Sequence, residues 1–106
     1  MKTDDPVLNE IIRRLVQTFQ PERIYLFGSK AGGESGPDSD YDLMVIVPDE
    51  APPESRQSRL AYQALRGTRT AADVLVWTRQ AFDSRLHLPA SLPATITRQG
   101  KLLYAA

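Results

Sequence analysis

The sequence predicts an α/β (α+β) fold, a small mixed β-sheet covered by helices. Three observations predict it: an amphipathic N-terminal segment, three short runs rich in β-branched and aromatic residues, and helix signals between and after those runs.

Asp4-Asp5-Pro6 reads as a helix start, because an aspartate accepts hydrogen bonds from free backbone N–H groups and proline suits the first helical position. Val7, Leu8, Ile11, Ile12, Leu15, Val16 and Phe19 then recur at helical steps on one face, and Gln20-Pro21 closes the pattern. Arg23-Ile24-Tyr25-Leu26-Phe27 has strand composition and stops at Gly28. Residues 29–39 hold Gly32, Gly33, Gly36 and Pro37, which leaves room for a short turn and loop. A second strand is expected from Asp40 to Val47, then a loop from Pro48 to Pro53 and a weakly amphipathic helix from Glu54 to Arg66 through Leu60, Ala61, Ala64 and Leu65. Gly67 closes that helix, and residues 72–77 read as a third strand, nearly all apolar apart from Asp73. Thr78 is expected to cap a turn through Phe82, a helix to run from Leu92 to Gln99, and Lys101-Leu102-Leu103-Tyr104 to form a short last strand.

A chain of 106 residues suits one core, so a single domain over residues 1–106 is the expectation. The hydrophobic fraction of 42% and charged fraction of 25% are those of folded water-soluble proteins. No cysteine is present, which excludes disulfides, thiolate zinc sites and cysteine nucleophiles. The longest strongly apolar run, Leu43 to Val47, falls far short of the ~20 residues that span a bilayer, so no membrane role is expected. The acidic start Met1-Lys2-Thr3-Asp4-Asp5 does not resemble an export signal, and the cytoplasm is the expected location. Thirteen basic and thirteen acidic residues cancel, which argues against a nucleic-acid partner. Arg13-Arg14 and Arg56, Arg59, Arg66 and Arg69 read as solvated helix faces. The apolar face of the first helix could serve a homo-oligomer, although burial in one domain core explains it as well.

The chemistry is carried by acids. Asp40 and Asp42 stand two apart on a strand, so they point the same way with Tyr41 opposite. Two neighbouring carboxylates repel unless a cation lies between them, and hard oxygen ligands suit magnesium or manganese. Magnesium held by few carboxylates completes its shell with water and substrate phosphate, which points to a nucleoside triphosphate. Asp73 offers a third carboxylate in an otherwise apolar run, where a buried acid needs a partner or a metal. Capping and turn roles explain each aspartate singly as well. Gly28-Ser29 adds a place where backbone can approach a phosphate and free N–H groups can meet it, although the same pair is a common turn. The single histidine, His87, reads as a surface or packing residue.

Taken together, strand, Gly28-Ser29-Lys30-Ala31-Gly32-Gly33, loop, Ser39-Asp40-Tyr41-Asp42-Leu43 and a later Asp73 resemble the minimal nucleotidyltransferases of the DNA polymerase beta superfamily. The resemblance implies a polymerase beta palm-like fold in which Asp40 and Asp42 ligate two Mg2+ ions. It implies too that Gly28 and Ser29 hold the triphosphate, and that Asp73 completes the metal site or helps activate the attacking hydroxyl. Relatives often carry arginine where Lys30 and Gly32 stand; Lys30 keeps a positive charge for phosphate, without arginine's fork. Such proteins are often paired with a small helical HEPN-type protein as toxin and antitoxin. The resemblance therefore implies ATP as substrate and AMP transfer to a tyrosine of that partner. The alternatives are a binding module that neutralises a partner by contact alone, and a transferase acting on a small molecule or RNA.

Overall fold

Helix α1 (Pro6–Phe19) begins where its cap requires, with the Asp5 Oδ1 carboxylate oxygen accepting from the backbone N–H of Val7 at 3.0 Å and of Leu8 at 3.3 Å. It ends as Gln20 turns into the left-handed region (φ 46°) and donates its N–H to the Val16 carbonyl. Residues 3–28 and 41–106 are described in a computed structural model, and all statements below concern them. Strand β1 (Arg23–Phe27) comes after α1, and β2 (Tyr41–Val47) opens the second described segment. A single 3-10 turn (Pro53–Ser55), helix α2 (Ser58–Ala64), strand β3 (Ala72–Thr78), helices α3 (Arg79–Asp83) and α4 (Leu92–Gln99) and strand β4 (Lys101–Ala105) complete the order.

The four strands form one mixed sheet in the order β3-β2-β1-β4. β1 pairs antiparallel with both β2 and β4, whereas β2 and β3 run parallel, with Asp42 opposite Asp73 and Leu43 opposite Val74. The β1–β4 register slips between Ile24 and Tyr25, a bulge that lets the short last strand follow the twisted edge.

Both faces of the sheet are covered, which explains why β2 reads as a continuous apolar run. Leu43, Val45 and Val47 pack with Ile24, Leu26, Val74 and Leu103 against Leu8, Ile11, Ile12, Leu15 and Phe19 of α1 and Ala61 of α2. Met44 and Ile46 point the other way, into Phe82 of α3 and Ile96 of α4, with Tyr25, Phe27, Leu75, Trp77 and Leu92 around them. Each fully buried aliphatic side chain here contributes about 1.5–3 kcal/mol relative to exposure. Among the described residues no helix is long and apolar enough to cross a membrane.

Most expected elements appear at their expected places. The exception is the helix from Glu54 to Arg66, which is broken: Gln57 is extended (φ −92°, ψ 136°) between the 3-10 turn and α2. Pro52 and Pro53 fix the start of the turn, and α2 itself buries only Ala61, so a longer helix has too little apolar face to hold it down. The Thr78 cap is as expected, its Oγ1 accepting from Ala81 N at 3.2 Å, and it opens a short helix that runs to Asp83. β4 extends one residue further, to Ala105. It can pass close to β1 because Gly100 lies where a Cβ would sit 2.7 Å from the Leu26 carbonyl oxygen.

Candidate functional site

Three chain segments meet at one end of the sheet: the exit of β1 at Phe27-Gly28, the entry of β2 at Tyr41-Asp42, and the entry of β3 at Ala72-Asp73. Tyr41 N donates to Ala71 O at 3.1 Å and carries the β2–β3 pairing one step beyond the ladder. Strand alternation then sorts the side chains. Tyr41 and Leu43 face α1, so Asp42 lies on the opposite face with Met44 and Ile46. Asp73, one residue before the inward-facing Val74, shares the face of Leu75 and Trp77.

Asp42 and Asp73 are therefore register partners on neighbouring parallel strands, about 4.8 Å apart at the backbone, with side chains on one face. Asp42 is half-buried and Asp73 is exposed. Of the two alternatives open for Asp73, a buried acid and a surface residue at the strand entry, the second is the one observed. β3 is an edge strand, and its first residues stand proud of the helices that cover the rest of that face. Asp40, Ser29 and Lys30, also expected here, lie outside the described residues.

Gly28 directly follows β1, where the strand is expected to stop. Its φ is +75°, and a Cβ there would collide with the Asp42 carboxylate, lying 3.1 Å from its Cγ. The glycine makes room for the acidic side chain itself, with the backbone of the β1 exit lying directly against it.

Two neighbours of this acidic pair carry no sequence signal. Tyr62 on α2 donates its hydroxyl to Asp73 Oδ1 at 3.2 Å. Nothing in the sequence marks it, because it is an exposed residue on a helix whose true start, after the break at Gln57, the pattern does not disclose. Tyr41, on the reverse face, donates its hydroxyl to Asp5 Oδ2, the carboxylate that caps α1. Burial, then the hydrogen bond to Asp5, pushes the Tyr41 phenol up to about 12. The entry of β2 is thereby tied to the start of α1, which fixes where Asp42 begins. His87 is exposed in the turn after α3.

Among the described residues no group of three or more His, Cys, Asp or Glu side chains gathers to hold a metal ion, Asp40 lying outside them. The two carboxylates that are described still suit a hard divalent cation. They are oxygen donors, they share a face, and as neighbouring like charges they gain from a cation between them.

A mixed sheet of this order, with an acidic pair at the end where β1 leaves and β2 and β3 enter, belongs to a known class. The chain is a member of the polymerase beta nucleotidyltransferase family, whose model matches residues 9–106. It is similar to a toxin–antitoxin crystal structure with AMP-PNP, with a TM-score of 0.63, 27% identity, and coverage of 92% of this chain and 73% of that one. The tri-AMPylated Shewanella oneidensis HEPN toxin in complex with its MNT antitoxin matches at a TM-score of 0.58 and 23% identity, covering 94% of this chain and 71% of the other. The toxin–antitoxin MntA-HepT gives a TM-score of 0.57 at 24% identity, over 94% and 71% of the two chains. These last two likenesses concern the fold. No curated protein matches the sequence significantly.

Proposed function

We propose that the chain is a magnesium-dependent nucleotidyltransferase of the cytoplasm that moves AMP from ATP to a tyrosine hydroxyl of a helical HEPN-type partner, and so acts as an antitoxin. The observation that carries this reading is the pairing of Asp42 with Asp73 across β2 and β3, beside the left-handed Gly28. The AMP-PNP and AMPylated complexes among its structural neighbours favour ATP and a protein acceptor.

In this reading Asp40, Asp42 and Asp73 hold the metal ions, which when bound neutralise charge at the triphosphate and at the attacking oxygen. Gly28 and Ser29 present backbone N–H groups and a hydroxyl to the phosphates, and Lys30 adds a positive charge. Asp73, the exposed member, accepts the proton of the acceptor hydroxyl. The half-buried Asp42 stays with the nucleotide. What the chain contributes is placement and fixed charge, which is most of what phosphoryl transfer asks of a protein.

The test is to incubate the chain with ATP labelled at the α-phosphate, magnesium and the helical protein encoded beside it, comparing wild type with Asp42→Ala. Label on the partner that vanishes in the variant is the expected result. A stable complex without label makes the chain a binding module that acts by contact alone.

A further inference from the structure

Among the described residues, one hydroxyl of this chain already sits on the acidic pair. Tyr62 is 50% exposed, packs into neither core cluster, and donates its phenol to Asp73 Oδ1 at 3.2 Å. An acceptor hydroxyl would make the same bond to a carboxylate that takes its proton. The other tyrosines are engaged elsewhere. Tyr25 stacks on Phe82 with ring centroids 5.6 Å apart, Tyr41 is buried against α1 with its hydroxyl on Asp5, and Tyr104 lines a groove beside α1 with Ile12 and Val16.

The Tyr62 ring lies outside the core, although its helix is fastened by Leu65 just past α2, which enters the core, and by Arg14, which donates to the Ala64 and Arg66 carbonyls. α2 is seven residues long, buries only Ala61, and is followed by two left-handed residues, Gly67 (φ 91°) and Arg69 (φ 57°), before β3 begins. An exposed phenol on a short helix at an edge strand can shift by the small distance that separates a carboxylate's hydrogen-bond partner from a nucleophile.

From this geometry we propose that Tyr62 is an internal acceptor: with a nucleoside triphosphate bound and no partner present, the chain nucleotidylates its own Tyr62. The inference rests on the transferase reading above. In the step the Tyr62 Oη–phosphorus bond forms at the α-phosphate and the bond from that phosphorus to the oxygen bridging to the β-phosphate breaks. Pyrophosphate leaves with the electron pair, and the phenolic proton passes to the Asp73 carboxylate. The modified tyrosine then fills the place where a partner's hydroxyl must enter, so self-modification switches the transferase off.

The experiment incubates the chain alone with magnesium and ATP labelled at the α-phosphate, then maps the label after trypsin digestion. Label is expected on the peptide of residues 60–66, to be lost in Tyr62→Phe, and to form at a rate constant independent of protein concentration. In a second readout without turnover, AMP-PNP with magnesium is expected to protect Tyr62 from nitration. A parallel wild-type reaction includes the helical partner. Label on the partner with none on the chain overturns the internal acceptor and leaves the transferase standing, whereas label on neither sinks the transferase reading as well. Self-label that persists in Tyr62→Phe, a rate that rises with protein concentration, or nitration unaffected by the nucleotide each overturn the proposal.

Discussion

Asp42 and Asp73 face each other across the parallel pairing of β2 with β3, one half-buried and the other exposed, on the same side of the sheet. Neighbouring strand positions on one face are close enough for two carboxylates to feel each other's charge. Asp42→Asn and Asp73→Asn are each expected to slow AMP transfer by about 10²–10³-fold, the usual loss on removing one charge-stabilising group. Because Asp73→Asn relieves repulsion and keeps the oxygen that accepts from Tyr62, it is not expected to lower the melting temperature. Labelled-ATP transfer and thermal unfolding check both halves, and wild-type rates in either variant would refute the site.

Gly28 and Gly67 are left-handed for different reasons, and this makes them a matched pair of probes. A side chain at either pays about 1–2 kcal/mol for its backbone conformation. At Gly67 a Cβ meets nothing within 4 Å, but at Gly28 it collides with the Asp42 carboxylate. Gly67→Ala is expected to lose stability alone. Gly28→Ala is expected to lose more stability and most of the transferase activity, since Asp42 must move. Urea unfolding and labelled transfer separate the two.

The bond from Tyr41 to Asp5 predicts an alkaline limb in stability. The phenol's folded value, about 12, lies above its ordinary 10.0, so the neutral form is favoured by folding. The contribution is complete below pH 10.0 and is lost as pH rises through about 12. Tyr41→Phe should flatten that decline and cost about 1.5–3 kcal/mol at neutral pH, the range for a hydrogen bond to a charged group. Asp5→Ala should cost a further cap of about 0.5–2 kcal/mol. Urea unfolding across this pH range checks the slope.

Arg14 bridges helices. Its guanidinium donates to the Ala64 carbonyl at 3.1 Å and to the Arg66 carbonyl at 2.8 Å, closing the end of α2, and its Nε donates to Glu10 at 2.7 Å. Hydrogen bonds from Arg13 and then from Arg14 hold the partly exposed Glu10 carboxyl down at about 2. Arg14→Lys keeps the charge but has one nitrogen where arginine uses two, Nη1 for both carbonyls and Nε for Glu10, so it cannot hold all three partners in this geometry. Stability is expected to fall by about 1 kcal/mol, and amide exchange to quicken around residues 66–68.

The sheet and its acidic face are largely legible in the sequence because they depend on short-range patterns. The limits of β1 come from Arg23-Ile24-Tyr25-Leu26-Phe27 and the glycine after it, and those of α4 from Leu92 to Gln99. The shared face of Asp42 with Met44 and Ile46 comes from period-two alternation alone. The illegible features depend on partners distant in sequence. The break at Gln57 reflects how little of α2 finds a core to enter. The exposure of Asp73 depends on β3 being an edge, which strand composition does not disclose. Tyr62 is an ordinary surface residue until the fold places Asp73 beside it. Gly28 reads as space for a ligand, and the space is first taken by Asp42.

Strand β4 has a consequence for how the chain reaches this state. β1 is an interior strand only because β4, at the far end of the chain, lies along its second edge from Leu26 opposite Lys101 to Arg23 opposite Ala105. Until that late pairing forms, β1 offers an open row of backbone donors and acceptors flanked by Ile24 and Leu26, the kind of surface that recruits a strand from another molecule. Long-range closure of this sort slows folding relative to helix-rich chains of equal size. A protease nick before Lys101 would therefore turn the folded chain into a seed for aggregation, even though every residue of the acidic face remained in place.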